Sequence, residues 1–144
     1  MALVKEVMTK KVEYCTLLDN VFEVATKMKE LNVGAIPILD EQEHLVGMIT
    51  DRDIVVRGVA EKHPGSTKVE VVMSDHLVTI EPEASTEEAV ELMTEHQIRR
   101  LPVVKNGKLV GILALGDLAI RTTLDEQAEK ALSEISEDHH SQLH

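Results

Sequence analysis

The feature that most constrains this 144-residue chain is an internal repeat, because a segment that occurs twice is expected to fold twice in the same way. Early matches lie 65 residues apart and include Val4/Val69, Met8/Met73, Met28/Met93 and Pro37/Pro102. One residue is then lost, and matches 64 residues apart include Leu45/Leu109, Gly47/Gly111, Asp53/Asp117 and Arg57/Arg121. Two copies are too few for a solenoid, so the repeat predicts two similar units that each bury an apolar face on the other.

Each copy predicts the element order β-α-β-β-α. Short extended pieces at 12–16 and 77–80 precede a helix whose apolar residues recur at spacings of three and four. In the second copy, Ser85 and Glu88 give the Ser-x-x-Glu pattern of a capping box, which satisfies two backbone amides at a helix start. Asn20 with Glu23 is a less typical version of the same box in the first copy. A second helix closes each copy.

The predicted hairpins carry turn and edge signals. Asn106-Gly107 favours a tight turn, because both central positions need positive φ. Pro37 and Pro102 lie in β-rich runs and are predicted at a strand start or a sheet edge, since proline has no N–H to donate. The expected fold class is α/β, in the α+β sense, with two pseudo-symmetric repeats in one module. The predicted divisions are residues 1–62 for the first repeat with its leading segment, 63–68 for a linker, 69–123 for the second repeat and 124–144 for an acidic helical tail.

Composition excludes several classes of partner. The formal net charge is −11 and only 1% of residues are aromatic, which argues against nucleic acid and against an anionic membrane surface. Cys15 is the only cysteine, so neither an internal disulfide nor a CxxC zinc site is expected. The chain shows no signal-peptide pattern and no apolar run of membrane-spanning length. These observations predict a protein of the reducing cytoplasm.

The motifs of the two copies resemble a known family when they are taken in order. Val-Met-Thr and Val-Met-Ser open the copies at 7–9 and 72–74, and Leu-Val-Gly recurs in both hairpins. Ile-Arg-Arg-Leu-Pro-Val-Val occupies 98–104, and Thr-Asp-Arg-Asp closes the first hairpin at 50–53. This duplicated set resembles a tandem pair of CBS domains, often called a Bateman module. The resemblance covers about Val4 to Thr123.

The resemblance implies a non-enzymatic regulatory module that binds an adenosine nucleotide of the AMP, ADP or ATP class in the cleft between two repeats. In the family pattern, a hydroxyl such as that of Thr50 reaches toward phosphate, and an aspartate such as Asp53 holds the ribose hydroxyls. A carboxylate accepts two hydrogen bonds, so it suits a vicinal diol. Modules of this family usually pair, which implies a homodimer. The regulated protein is not indicated by the sequence.

The resemblance also implies two composite sites of unequal strength. The main site would comprise Met48, Thr50, Arg52, Asp53, Val78, Thr79, Ile80, Ile98, Arg99 and Arg100. The weaker site would comprise Glu13, Tyr14, Cys15, Val33, Gly34, Ala35, Ile112, Ala114, Gly116 and Asp117. Ala114 replaces Thr50 and Gly116 replaces Arg52 in the second copy, so the weaker site lacks both the hydroxyl and the arginines expected near phosphate.

Other interpretations remain open at this stage. Asp53 and Asp117 could simply cap the closing helices. The chain could be a scaffold with the same fold and no nucleotide, or it could bind S-adenosylmethionine or NAD. An enzyme is disfavoured, because no catalytic constellation, metal-spaced cluster or phosphate loop is present. We therefore expect no catalytic residues, no catalytic cofactor and no resident metal, although Asp51 and Asp53 could hold Mg²⁺ together with a nucleotide.

Overall fold

The structure is a computed structural model that describes residues 2–119 and 132–135. The chain divides into two compact units. The first-copy unit is Glu13–Leu77, and the second-copy unit combines Met1–Val12 with Val78–His144. These units differ from the repeats along the sequence, because each copy's leading segment belongs to the unit built from the other copy. In chain order the elements are α1 (Val4–Val7), β1 (Cys15–Thr16), α2 (Val21–Leu31), β2 (Ala35–Leu39), β3 (Leu45–Thr50), α3 (Asp51–Asp53), a π-helix (Ile54–Val59), α4 (Val69–Val72), α5 (Thr86–His96), β4 (Arg100–Lys105), β5 (Lys108–Ala114) and α6 (Leu115–Ala119).

The first-copy unit contains a three-stranded sheet in the order β1-β2-β3. β1 runs parallel to β2, and β2 pairs antiparallel with β3. The prediction that Pro37 starts a strand or lies at an edge is wrong, because it lies inside the central strand β2, opposite Met48. The sheet tolerates it there because β1 pairs only with Ile38 and Leu39, so no strand on that side needs a proline N–H.

The second-copy unit contains the two-stranded antiparallel sheet β4-β5. Asn106 and Gly107 have φ of 53° and 81°, which confirms the predicted tight turn. Pro102 lies within β4, on a strand with no second full neighbour, and its carbonyl accepts from the Ile80 amide. Ile80 makes only an isolated bridge to Val103, so the extended piece predicted at 77–80 is shorter than expected.

The less typical capping box predicted from the sequence, at α2, is the one that forms completely. At α2 both bonds of the capping box form: the Glu23 amide donates to Asn20 Oδ1 at 2.8 Å, and the Asn20 amide donates to Glu23 Oε1 at 3.0 Å. At α5 the structure shows the Ser85 half, in which the Glu88 amide donates to the Ser85 hydroxyl at 3.1 Å. Both helices end at a residue in the left-handed conformation, Asn32 and Gln97.

The two leading segments pack against hairpin strands through a methionine over a glycine. A Cβ on Gly47 would lie 2.5 Å from Met73 Sδ, and a Cβ on Gly111 would lie 2.6 Å from Met8 Sδ. The glycines therefore allow close approach of the methionine side chains, which explains why both residue types recur in the repeat. Backbone bridges fix the same contacts, since Met48 pairs with Ser74 and Ile112 pairs with Thr9.

Each unit has its own aliphatic core. Ile36, Ile38 and Ile49 from the hairpin are almost fully buried in the first-copy unit, and Leu101, Val103 and Leu113 occupy the corresponding positions of the second-copy unit. Ile135 is 3% exposed and packs in the core of the second-copy unit together with half-buried Leu132. Residues 132–135 of the predicted helical tail are helical, and the rest of the tail and Arg121 lie outside the described residues.

No helix within residues 2–119 and 132–135 has the length and hydropathy needed to cross a bilayer.

Candidate functional site

The junction between β3 and α3 is a polar corner built by a capping box. Thr50 is the N-cap of α3, and its Oγ1 accepts from the Asp53 amide at 3.0 Å. In return, Asp53 Oδ2 accepts from the Thr50 amide at 2.9 Å. Asp53 is thus the third helical residue and not the cap itself. Each group keeps capacity for a ligand, because the hydroxyl still has its proton to donate and each carboxylate oxygen has a second lone pair.

The other oxygen of Asp53 contacts an arginine that the sequence-based site omits. Arg57 Nη2 donates to Asp53 Oδ1 at 3.1 Å, and Arg57 Nη1 donates to the Met73 carbonyl at 3.4 Å. A signal was available, because Arg57 follows Asp53 by four residues and the repeat places Arg121 at the matching position. A spacing of four puts two side chains on one face of a helix.

The remaining predicted residues of this corner are Met48 and Arg52. Met48 is half-buried on β3, and its backbone exchanges two hydrogen bonds with Ser74, at 2.9 and 2.8 Å. Arg52 is exposed on α3, and its amide donates to Asp51 Oδ1 at 2.8 Å. The corner therefore presents two carboxylates and an exposed guanidinium within three consecutive residues.

The second-copy unit holds the other predicted residues of the main site. Thr79 is exposed between half-buried Val78 and buried Ile80. Ile98, Arg99 and Arg100 run from the end of α5 into β4, with both arginines exposed. The structure thus presents two consecutive exposed arginines where β4 begins.

The corner after β5 repeats the first corner with one bond missing. Asp117 Oδ2 accepts from the Ala114 amide at 3.2 Å, as Asp53 does from Thr50. Ala114 has no hydroxyl to accept in return, so this corner has half of a capping box. Gly116 is exposed, and a Cβ built there would meet nothing within 4 Å. Ile112 is half-buried and pairs with Thr9. This corner offers a carboxylate but neither hydroxyl nor guanidinium.

The other residues of the predicted weaker site lie in the first-copy unit. Glu13 and Tyr14 are exposed, and the Tyr14 carbonyl accepts from Lys27 Nζ at 2.9 Å. Cys15 is 4% exposed, and burial, aided by the Asp19 carboxylate, raises the pKa of its thiol to about 11. The thiol is therefore protonated near neutral pH and behaves as a small apolar side chain.

Residues assigned to different predicted sites are neighbours within each unit. Ala35 pairs with Thr50 across the first hairpin, and Arg100 pairs with Ala114 across the second. Gly34 accepts from the Asp51 amide at 2.9 Å, and half-buried Val33 completes this group. Each hairpin end therefore carries residues of the predicted main site and residues of the predicted weaker site.

The described residues also form cavities away from these corners. One of about 600 Å³ in the second-copy unit contains none of the predicted residues and is lined by Lys5, Glu6, Met8, Lys10, Pro82, Lys105 and Val110. Over residues 2–119 and 132–135, no group of three or more His, Cys, Asp or Glu side chains is placed to hold a metal ion.

Two α+β units, each with a strand–helix corner that carries an aspartate, define a duplicated type of module. The CBS domain family matches the chain twice, at residues 4–58 and 69–121, and the chain belongs to this family. Protein YlbB of Bacillus subtilis is 52% identical over 138 residues, which are 95% of this chain and 93% of YlbB. The chain is thus a CBS domain pair, a regulatory type of module.

Solved structures agree with this assignment. Hypoxic response protein I, crystallised with two coordinated zinc ions, is 34% identical with a TM-score of 0.76, over 83% of this chain and 98% of that one. The CBS domain pair of protein MJ0100, in complex with 5′-methylthioadenosine and S-adenosyl-L-methionine, is 26% identical with a TM-score of 0.73, over 83% of this chain and 94% of that one.

Proposed function

We propose that this CBS domain pair senses an adenosine nucleotide of the AMP, ADP or ATP class and carries out no chemistry on it. The observation that carries the proposal is the Thr50–Asp53 corner. Its carboxylate is fixed by backbone and arginine donors and still has lone pairs for a ribose diol. The MJ0100 pair was crystallised with two adenosyl ligands, which supports an adenosine moiety as the common recognition element.

In this proposal Asp53 accepts from the ribose hydroxyls, and the Thr50 hydroxyl donates to a phosphate oxygen. Three arginines supply charge-assisted contacts to phosphate, namely Arg52, Arg99 and Arg100. The apolar residues of the main site, Met48, Val78, Ile80 and Ile98, contact the adenine, together with the Thr79 backbone. Mg²⁺ can accompany the nucleotide through its phosphates and Asp51.

The second site is proposed to be weaker for phosphorylated ligands. Ala114 and Gly116 remove the hydroxyl and the guanidinium that the first corner presents, while Asp117 remains able to accept from a ribose. Exposed Glu13, which the proposal places in the same site, would repel phosphate. A neutral adenosyl compound would lose less affinity there than a nucleotide would, because it has no phosphate to be repelled.

A second candidate is a sensor of an uncharged or cationic adenosyl ligand such as S-adenosylmethionine. The ligands of the MJ0100 pair favour it, since neither carries phosphate. Under this alternative Asp53 keeps its role with the ribose, but the arginines contribute nothing to affinity. The two candidates therefore differ in whether Arg100 matters.

Calorimetry on the full chain tests both candidates against AMP, ADP, ATP, NAD and S-adenosylmethionine. We expect Asp53→Asn to weaken binding of the preferred nucleotide by about tenfold or more, since it removes a charged acceptor worth roughly 1.5–3 kcal/mol. Asp117→Asn is the matched control, because it makes the same change at the corner without the hydroxyl. Arg100→Ala should weaken nucleotide binding and leave S-adenosylmethionine unchanged.

Phosphorus NMR of the same samples tests the absence of chemistry. We expect the bound nucleotide to remain intact over hours. Steady conversion to product by wild type but not by Asp53→Asn would show an enzyme, and equal affinities of wild type and Asp53→Asn would reject the site.

A further inference from the structure

We propose that Arg57 is the positioning residue that holds the Asp53 carboxylate in the orientation needed to accept both hydroxyls of a ribose. The inference rests on the proposed function and adds a residue outside the predicted site. Arg57 lies on the π-helix that follows α3, one helical turn beyond Asp53. Its guanidinium does not need to touch the ligand for this role.

The carboxylate of Asp53 is held at two points. Oδ2 accepts from the Thr50 amide at 2.9 Å, and Oδ1 accepts from Arg57 Nη2 at 3.1 Å. With the amide bond alone, the carboxylate could rotate about its last side-chain bond, which has a broad torsional minimum. The second bond fixes its plane, so both oxygens present their remaining lone pairs in a fixed direction. A vicinal diol requires such a pair of acceptors at once.

Arg57 is itself anchored at its other end. Nη1 donates to the carbonyl of Met73, the residue that caps the C-terminus of α4. Met73 is fixed in turn, because its side chain packs over Gly47 of β3, the strand that ends at Thr50. The guanidinium therefore spans the carboxylate and a backbone carbonyl, a geometry that the planar fork of arginine fits and a lysine ammonium does not.

The pair also reduces the local negative charge. Asp51 and Asp53 lie within one turn at this corner, and a phosphorylated ligand would meet both carboxylates. Arg57 neutralises half-buried Asp53, whose side chain is 16% exposed, while the side chain of Arg57 is 47% exposed. An exposed pair four residues apart contributes little to fold stability. Its removal should therefore affect ligand recognition more than folding.

The test compares AMP with 2′,3′-dideoxy-AMP by calorimetry, because the second ligand lacks the diol that Asp53 would bind. For wild type we expect AMP to bind about tenfold tighter, as one charge-assisted hydrogen bond implies. Arg57→Met should lose most of that ratio, because its affinity for AMP should fall further than its affinity for the dideoxy ligand, which keeps the phosphate and lacks only the diol. Arg57→Lys should keep part of the ratio. Arg52→Met is the matched control and should weaken both ligands equally, leaving the ratio as in wild type.

The possible outcomes distinguish failure of the proposed role of Arg57 from failure of the proposed nucleotide sensing. If wild type and Arg57→Met show the same ratio while Asp53→Asn loses it, Asp53 binds the ribose without help and the role of Arg57 is refuted alone. If wild type binds both ligands equally, the ribose contact of Asp53 is absent and the role of Arg57 is refuted with it; if wild type binds neither ligand, the proposed function fails. Circular dichroism and thermal melting establish that each variant is folded, and Arg57→Gln replaces Arg57→Met if the latter is not.

Discussion

Thr50→Ala should remove a helix cap from the first-copy unit, and Ala114→Ser should add one to the second-copy unit. In the first-copy unit the Thr50 hydroxyl accepts from the Asp53 amide at 3.0 Å. Thr50→Ala removes this acceptor, and we expect the free energy of unfolding to fall by about 1 kcal/mol, the usual cost of losing such a cap. At the other corner the Asp117 carboxylate already accepts from the Ala114 amide, at 3.2 Å. Ala114→Ser supplies the missing acceptor and should raise the free energy of unfolding by a similar or smaller amount.

Urea denaturation without nucleotide, followed by circular dichroism, measures both changes if the slopes with denaturant are unchanged. Thr50→Ser is the matched control, because it keeps the hydroxyl and removes only the methyl group, so its midpoint should stay near that of wild type. The reasoning is refuted if Thr50→Ala and Thr50→Ser unfold at the same denaturant concentration. Under the proposed function, Ala114→Ser should also strengthen nucleotide binding at the weaker site, which calorimetry would detect as a second binding event.

Three further predictions concern packing, titration and assembly. Gly47→Ala should destabilise the fold by about 1–3 kcal/mol through overpacking against Met73. Adding Met73→Ala to this variant should recover part of the loss. Gly111→Ala should cost more in the same denaturation assay, because a Cβ there would also lie 3.0 Å from the Thr9 carbonyl oxygen, and backbone yields less than a methionine side chain. The pKa of Cys15 is raised from 9.0 to about 11 in the folded chain, so the unfolded chain loses the thiol proton first. The free energy of unfolding should therefore fall as pH rises from about 9 to 11. A Cys15→Ala variant with the same pH dependence as wild type would contradict this. Light scattering at micromolar concentration should give a homodimer of about twice 16.0 kDa, and a monomer would reject that expectation.

Interactions that span three or four residues were readable from the sequence. The capping box at Asn20 and the tight turn at Asn106-Gly107 both follow from residue type and local spacing. The repeat itself predicted two α+β units with similar hairpins. These features are local or periodic, so each residue's environment is largely determined by its near neighbours along the chain.

Tertiary structure decided which distant segments meet. No local signal pairs Thr9 with Ile112, so the sequence could not show that the leading segment of one copy completes the unit of the other. The position of Pro37 inside a central strand depends on how far β1 extends, which is set by packing. Arg57 could be placed on the face of Asp53 from its spacing, but its second bond, to the Met73 carbonyl, joins residues that are far apart in sequence. Such contacts depend on shape and on the folded positions of whole segments, and residue type and spacing do not determine these.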